Sequence, residues 1–154
     1  MIKLHWGGKR NAAENQIMAD FAANLIWPDG RKFGECTTLG MIEDDALIGV
    51  AVFHNYDPVA KTIEYSGASK SERWLTKKSV RAIFSYMFDD IGCQMVVTRN
   101  SERNTRLHRQ LEAYGHQPHR IERLRGVTEA EIVWTLTREQ WNGNKFNKGN
   151  VTNG

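Results

Sequence analysis

Apolar residues first fall into a helical rhythm over NAAENQIMADFAANLI, residues 11–26, where Ile17, Phe21 and Leu25 recur at i, i+4 and i+8. That spacing predicts an amphipathic helix with these three on its buried face. Asn11 followed by Glu14 resembles a capping box, and WPDG at 27–30 predicts the turn that ends the helix. The period then shortens. ECTTLGMI (35–42) and ALIGVAVFHNY (46–56), split by EDD, predict a hairpin whose second strand is buried on both faces. After the turn DPVAK, TIEYSGAS (62–69) alternates as a third strand. A helical period returns in RWLTKKSVRAIFSYMFDDIG, with Val80, Ile83, Phe84, Met87 and Ile91 on one face, Thr76 as N-cap and Gly92 as the stop. QMVVTR (94–99) predicts a strand. Residues 104–114 predict a short helix with Leu107, Leu111 and Tyr114 on one face, and HRIERLRG and AEIVWTLT predict two last strands.

The predicted order is α, then β-β-β, then α-β-α-β-β. A strand–helix–strand run implies a right-handed parallel crossover, and the hairpins imply antiparallel neighbours. The fold class is therefore α/β, with helices covering the faces of a mixed, mostly antiparallel sheet. Phe84, Phe88 and Trp134 are predicted core residues. Cys93, with no adjacent base, is predicted to pack and not to react.

Composition narrows the setting. The 154 residues suffice for one domain with a real core, assigned to residues 1–141. The tail, 142–154, is rich in Asn, Gly and Lys and is predicted to be disordered. No apolar run reaches the roughly 20 residues of a membrane span, and MIKLHWGGKR lacks the apolar stretch expected of a signal peptide. Two cysteines make a disulfide framework an unsuitable reading, so a cytoplasmic setting is expected. The five histidines show no metal-binding spacing, His116 and His119 being a pair without further ligands, so no metal is expected. A net charge of +3 is too small to argue for nucleic acid and suits an anionic small ligand.

Lys77 and Lys78 open the second helix, at the end the macrodipole already makes positive. Free N–H groups, the dipole and two ammonium groups together would bind a phosphate or pyrophosphate, and Arg73 adds to them. Two solvated lysines at a surface helix end are the plainer alternative.

The strand IEYSGAS, the loop KSERWLT, the helix KKSVRAIFSYMFDDIG, the strand QMVVTR and the later N-x-x-L-x-x-x-L-x-x-x-G-H together resemble the GNAT N-acetyltransferase superfamily, most closely its ribosomal-protein N-acetyltransferase-like and phage-encoded branches. The resemblance covers about residues 35–141. It implies the acyl-CoA N-acyltransferase fold and acetyl-CoA as co-substrate. The acceptor is a primary amine, on a protein or a small molecule, that the sequence does not specify. It places the cofactor against Gly67, Ala68 and the segment Arg73, Trp74, Leu75, Thr76, Lys77, Lys78 and Ser79. Asn104 joins them as helix cap and ligand contact, with Leu107 and His108 along the same groove. The chain departs from the family pattern at three points. The family's glycine-rich loop is not intact, Leu111 replaces a tyrosine that many members use as general acid, and Gly115-His116 replaces Gly-Phe. Dimers are common in the family, and a homodimer is compatible with this chain.

Acetyl transfer to an amine needs a proton acceptor and a donor for the tetrahedral oxyanion. Glu64 is the first candidate for the base, followed by His54 and Asp57; Ser66 and Tyr65 are candidate donors. Strand alternation sets Glu64 and Ser66 on one face and Tyr65 on the other. Trp6 and Trp27 are predicted either to wall the acceptor side or to pack in the core. Two rival readings have other outcomes: a non-catalytic CoA-binding module, and a nucleic-acid-binding domain using Arg99, Arg103, Arg106, Arg109, Arg120, Arg123 and Arg125.

Overall fold

The computed structural model describes residues 1–148 of the chain; the end of the predicted tail, 149–154, lies outside the described residues. The described chain forms seven strands and five α-helices: β1 Lys3–Gly7, α1 Ala12–Ile26, β2 Cys36–Glu43, β3 Ala46–Asp57, β4 Thr62–Ser69, α2 Lys77–Ser85, β5 Met95–Ser101, α3 Thr105–Ala113, β6 Gln117–Gly126, β7 Glu129–Thr137, α4 Arg138–Asn142 and α5 Lys145–Lys148. The chain divides into two compact units. One comprises residues 1–56 and 64–83, the other residues 57–63 and the chain from 84 onward. The class is mixed α/β, as the pattern of periods predicts.

In the first unit the strands lie in the order β1-β2-β3-β4. β2 and β3 form the predicted antiparallel hairpin, with Cys36 opposite His54, and β1 adds to the outer edge of β2. The hairpin turn falls at Asp44 and Asp45, both with positive φ, a conformation that Asp tolerates better than most residues. α1 is pinned to β2 by Asn15, whose Nδ2 donates to the Cys36 carbonyl at 2.9 Å while its Oδ1 accepts from Thr38 Oγ1 at 2.7 Å.

The buried face of α1 is only partly the predicted one. Phe21 packs on the core, but Ile17 is 64% exposed and Leu25 44%, whereas Met18, Ala19, Ala22 and Ala23 are buried. Met18 and Ala22 pack against Val50 and Val52 of β3. Small side chains let a helix lie closer to a sheet than an Ile/Leu stripe would, and the close-packed solution wins. Asn11 does not cap α1 by the predicted side-chain bond. Its Oδ1 instead accepts from Gly8 N–H at 2.8 Å and its Nδ2 donates to Glu14 Oε2 at 2.9 Å, so the pair holds the turn before the helix.

In the second unit the order is β5-β7-β6, and both pairings are antiparallel. Leu111 of α3 packs on Ile132 and Trp134 of β7. Phe84, Phe88, Trp134 and Cys93 are buried, as predicted, and burial pushes the Cys93 thiol pKa up. The predicted second helix does not run straight to Ile91: Tyr86–Asp90 is a π-helical turn, and Gly92, at φ +85°, ends it. Where the sequence predicts a disordered tail from 142, Lys145–Lys148 is a helical turn.

Candidate active site

β4 carries the two predicted catalytic residues, and alternation puts them on one face with Ala68. Ala68 packs against the Met18–Ala22–Val50–Val52 cluster, which identifies that face as the one α1 covers. Glu64 and Ser66 therefore open onto the same side as His54, which follows Val50 and Val52 at strand spacing on β3. His54 Nε2 lies 2.9 Å from Ser66 Oγ and 3.9 Å from Glu64 Oε2. Asn55 Nδ2 lies 3.0 Å from Glu64 Oε1 and 3.2 Å from His54 Nδ1. The His54 and Glu64 side chains are 13% and 17% exposed, so the cluster is enclosed but reachable. Phe33 closes one side, its ring edge-on to His54 at 5.1 Å and itself packed on Trp27 at 4.8 Å. An acid, a hydroxyl and an imidazole thus meet beside an aromatic wall, a setting able to hold a cationic amine and take its proton.

Other predicted residues fall elsewhere. Tyr65 is buried on the opposite face of β4. Asp57 Oδ1 accepts from the N–H groups of Val59 and Ala60, so its side chain holds the β3–β4 turn. Trp6 stacks on Phe53 at 6.2 Å, away from Phe33 and Trp27 in sequence and partner.

Gly67 faces away from Glu64 and Ser66. The indole of Trp74 reaches it with its far edge: an added Cβ at Gly67 would sit 2.6 Å from Trp74 Cη2, with Cζ2 and Cζ3 at 3.5 and 3.6 Å, and one at Gly49 would sit 2.7 Å from Trp74 Cε3. Two glycines on neighbouring strands make the bed that a bulky ring needs. Trp74 is thereby a packing residue of this face.

The segment 73–79 also uses many of its own donors. Arg73 N–H donates to Ser71 Oγ at 3.2 Å, Trp74 N–H to the Ser71 carbonyl at 3.4 Å, and Thr76 N–H to Ser79 Oγ at 2.8 Å. Ser79 N–H donates to Thr76 Oγ1 at 3.1 Å, so Thr76 is the predicted cap of α2, and the Ser79 hydroxyl holds the Trp74 carbonyl at 2.8 Å. Leu75 lies between them in extended backbone. Arg73 Nη2 sits 2.8 Å from Glu43 Oε2 but off the hydrogen-bonding direction, an ion pair that offsets its charge. What stays available to an anion is the first turn of α2, where Lys77 and Lys78 are exposed and their N–H groups have no helical partner by geometry. Two ammonium groups at the positive end of a nine-residue helix suit a diphosphate.

In the second unit, Asn104 precedes α3 but makes no side-chain cap bond; its carbonyl accepts from His108 N–H at 3.2 Å, and its side chain is exposed. Leu107 packs against the Leu111–Ile132–Trp134 cluster. His108 Nε2 reaches Asn100 Oδ1 at 2.8 Å and the Ser101 carbonyl at 3.0 Å, and Asn100 Oδ1 also accepts from Trp134 Nε1 at 3.3 Å. This buried polar link between β5, α3 and β7 had no signal in the sequence beyond the residue types. Of the basic run, Arg99 and Arg125 pair with Glu131, Arg103 with Glu129, and Arg120 with Glu102 and Glu122. Each of these four arginines thus faces at least one glutamate.

No protein-family model matches the sequence, and no curated protein does. Solved structures do match the fold. Mutant forms of the spermidine/spermine N-acetyltransferase SpeG from Vibrio cholerae align at a TM-score of 0.71, with 7% identity, over 92% of this chain and 97% of that one. A protein assigned as an acetyltransferase aligns at a TM-score of 0.65, with 16% identity, over 77% of this chain and 68% of that one. Another aligns at 0.58 with 18% identity over 68% of this chain and 63% of that one, so this chain spans slightly less than two thirds of its length. The architecture is thus that of the GNAT acetyltransferases. The polyamine enzyme among them is matched over almost its full length, which makes the likeness one of a whole fold and not of a shared fragment.

Proposed function

We propose that the protein is an acetyl-CoA-dependent N-acetyltransferase that moves the acetyl group directly onto a primary amine. The observation that carries this reading is the Glu64–Ser66–His54 cluster, set on the exposed end of β3 and β4 in a fold shared with acetyltransferases. Acetyl-CoA is the co-substrate that the family resemblance implies. The Lys77–Lys78 turn takes its diphosphate, and the N–H of Gly67 or Ala68 meets the thioester carbonyl. The amine nitrogen attacks the carbonyl carbon, a C–N bond forms, the C–S bond breaks, and the CoA thiolate leaves. The amine's proton passes to Glu64 and from there to solvent. A thiol with a pKa of about 8.5 leaves without strong acid help, which makes Leu111 an acceptable replacement for a tyrosine.

The amine is cationic until deprotonated, and Glu64 beside the Phe33–Trp27 wall suits such a ligand. A protein N-terminus, a lysine or a small amine all meet that description. The test is titration with acetyl-CoA, followed by thiol release across an amine panel. Glu64→Gln is expected to cut turnover by about 10²-fold or more while leaving acetyl-CoA affinity unchanged. Acetyl-CoA that neither binds nor raises the melting temperature overturns the reading.

A further inference from the structure

Asn55 stands out because it breaks a rule of strands. Residues 54 and 55 of a regular β-strand point to opposite faces. Here Asn55 has φ +55°, in the left-handed region that Asn enters more readily than most side chains. The reversal swings its amide onto the face of His54 and Glu64. Glu64 is the acceptor there, so the group 3.0 Å from its Oε1 is the amide NH₂ and not the amide oxygen. The same nitrogen lies 3.2 Å from His54 Nδ1. An NH₂ group carries two hydrogens, one for each of these partners. Nδ1 then receives a hydrogen bond, which puts the ring proton on Nε2, 2.9 Å from Ser66 Oγ.

Building on the transferase reading, we propose that Asn55 is a positioning residue that fixes His54 as the Nε2–H tautomer. His54 thereby serves as a donor to Ser66 and not as the base. Ser66, its oxygen already receiving from Nε2–H, is left to donate its own hydrogen to the acyl oxygen as negative charge builds there. Glu64, steadied at Oε1 by the same amide, is the proton acceptor. One side chain in an unusual backbone conformation thus assigns the roles of three others.

Long-range ¹H–¹⁵N NMR of uniformly labelled protein reads the tautomer of each histidine ring, and His54→Gln identifies the His54 signals by their loss. Wild type should show Nε2–H. Asn55→Asp tolerates the same backbone but offers only acceptors, so it should reverse the ring to Nδ1–H. Asn55→Gly keeps the left-handed backbone without the amide and guards against misfolding as an explanation. It should lower kcat roughly 10- to 100-fold, as loss of an orienting partner does, with acetyl-CoA affinity unchanged. An Nδ1–H ring in wild type, a ring indifferent to Asn55→Asp, or an unaltered kcat in Asn55→Gly would each overturn the proposal. The tautomer needs no substrate, so an amine panel without turnover counts against the transferase reading and leaves the Asn55–His54 assignment to be decided by NMR.

Discussion

Trp74 on its glycine bed invites a double-mutant cycle. An alanine at Gly49 would place Cβ 2.7–2.8 Å from Trp74 Cε3, Cβ and Cδ2. Carbon atoms in favourable contact stand about 3.5–4.0 Å apart, so something must retreat by about 1 Å. The atoms it meets belong to the root of the indole, and no rotation of the ring clears all of them. At Gly67 the close contact is Cη2 at the ring's far edge, with the next atoms at 3.5 and 3.6 Å, so a small swing relieves it. Overpacking of this kind costs about 1–3 kcal/mol. Alanine in a strand recovers roughly 0.5–1 kcal/mol of the backbone entropy that glycine loses. Gly49→Ala is therefore expected to destabilise by about 1–2 kcal/mol, and Gly67→Ala by less. In a Trp74→Ala background the clash is gone and Gly49→Ala should be neutral or stabilising by roughly 0.5–1 kcal/mol. The difference between backgrounds, about 1–3 kcal/mol, is the overpacking itself. Urea unfolding followed by far-UV circular dichroism, with the slope held constant, measures all four corners. Additivity to within about 0.5 kcal/mol would refute the packing argument, as would a larger cost at Gly67 than at Gly49.

Other expectations can be checked alongside. Burial holds His116 well below the ordinary histidine range, at about 4, with its Nδ1 near the Leu111 carbonyl. Above pH 6.5 the ring is neutral folded or unfolded, but as pH falls towards 4 only the unfolded chain takes the proton, so stability should drop by up to about 3 kcal/mol. His116→Phe should flatten that slope at little cost, since Leu111 O still accepts from the 116 N–H; an unchanged slope places the acid sensitivity elsewhere. Lys77→Ala/Lys78→Ala should weaken acetyl-CoA binding about 10- to 30-fold at low salt and less at high salt, on about 1 kcal/mol per charge at contact range in water; titration calorimetry that finds equal affinity removes the α2 turn from the diphosphate site. Ile17→Lys should change stability by less than about 0.5 kcal/mol, while Ala22→Leu should cost about 1–3 kcal/mol; the reverse ranking by thermal unfolding would restore the stripe at 17, 21 and 25 as the buried face.

Strand β4 was legible to the residue, because period-two alternation between a DPVAK turn and a polar loop has one reading. The β2–β3 hairpin and the β6–β7 pair were legible for the same reason. β1 was not: five residues at the edge of β2, in a stretch with charge at both ends, give too short a pattern to register. The α1 error has a different cause. A periodicity search weights large apolar side chains, whereas burial in α1 follows closeness of approach, and alanine and methionine supply that. The π-turn at 86–90 is a change of hydrogen-bond partner with no compositional mark. At the site, alternation correctly joined Glu64 to Ser66, and His54 was among the candidates. Asn55 was invisible, because alternation assigns it to the wrong face and only the sign of its φ corrects that.

The charges at the start of α2 show most plainly what a sequence leaves out. Arg73, Lys77 and Lys78 count alike when charges are summed along the chain. In three dimensions Arg73 pairs with Glu43, thirty residues earlier at the end of β2. The backbone donors around it are also spent, on Ser71, Thr76 and Ser79, hydroxyl residues that a reading for phosphate-binding loops treats as permissive filler. A glycine-rich loop keeps its N–H groups open because it has no side chains to satisfy them. This loop closes on itself with serine and threonine, and fastens the Trp74 carbonyl in doing so. On the proposed transferase reading, the diphosphate site therefore moves one step along the chain, from the loop to the helix. There the dipole and two lysines without an ion-pair partner among the described residues would act without a loop's help, and binding should depend more on salt than on loop geometry.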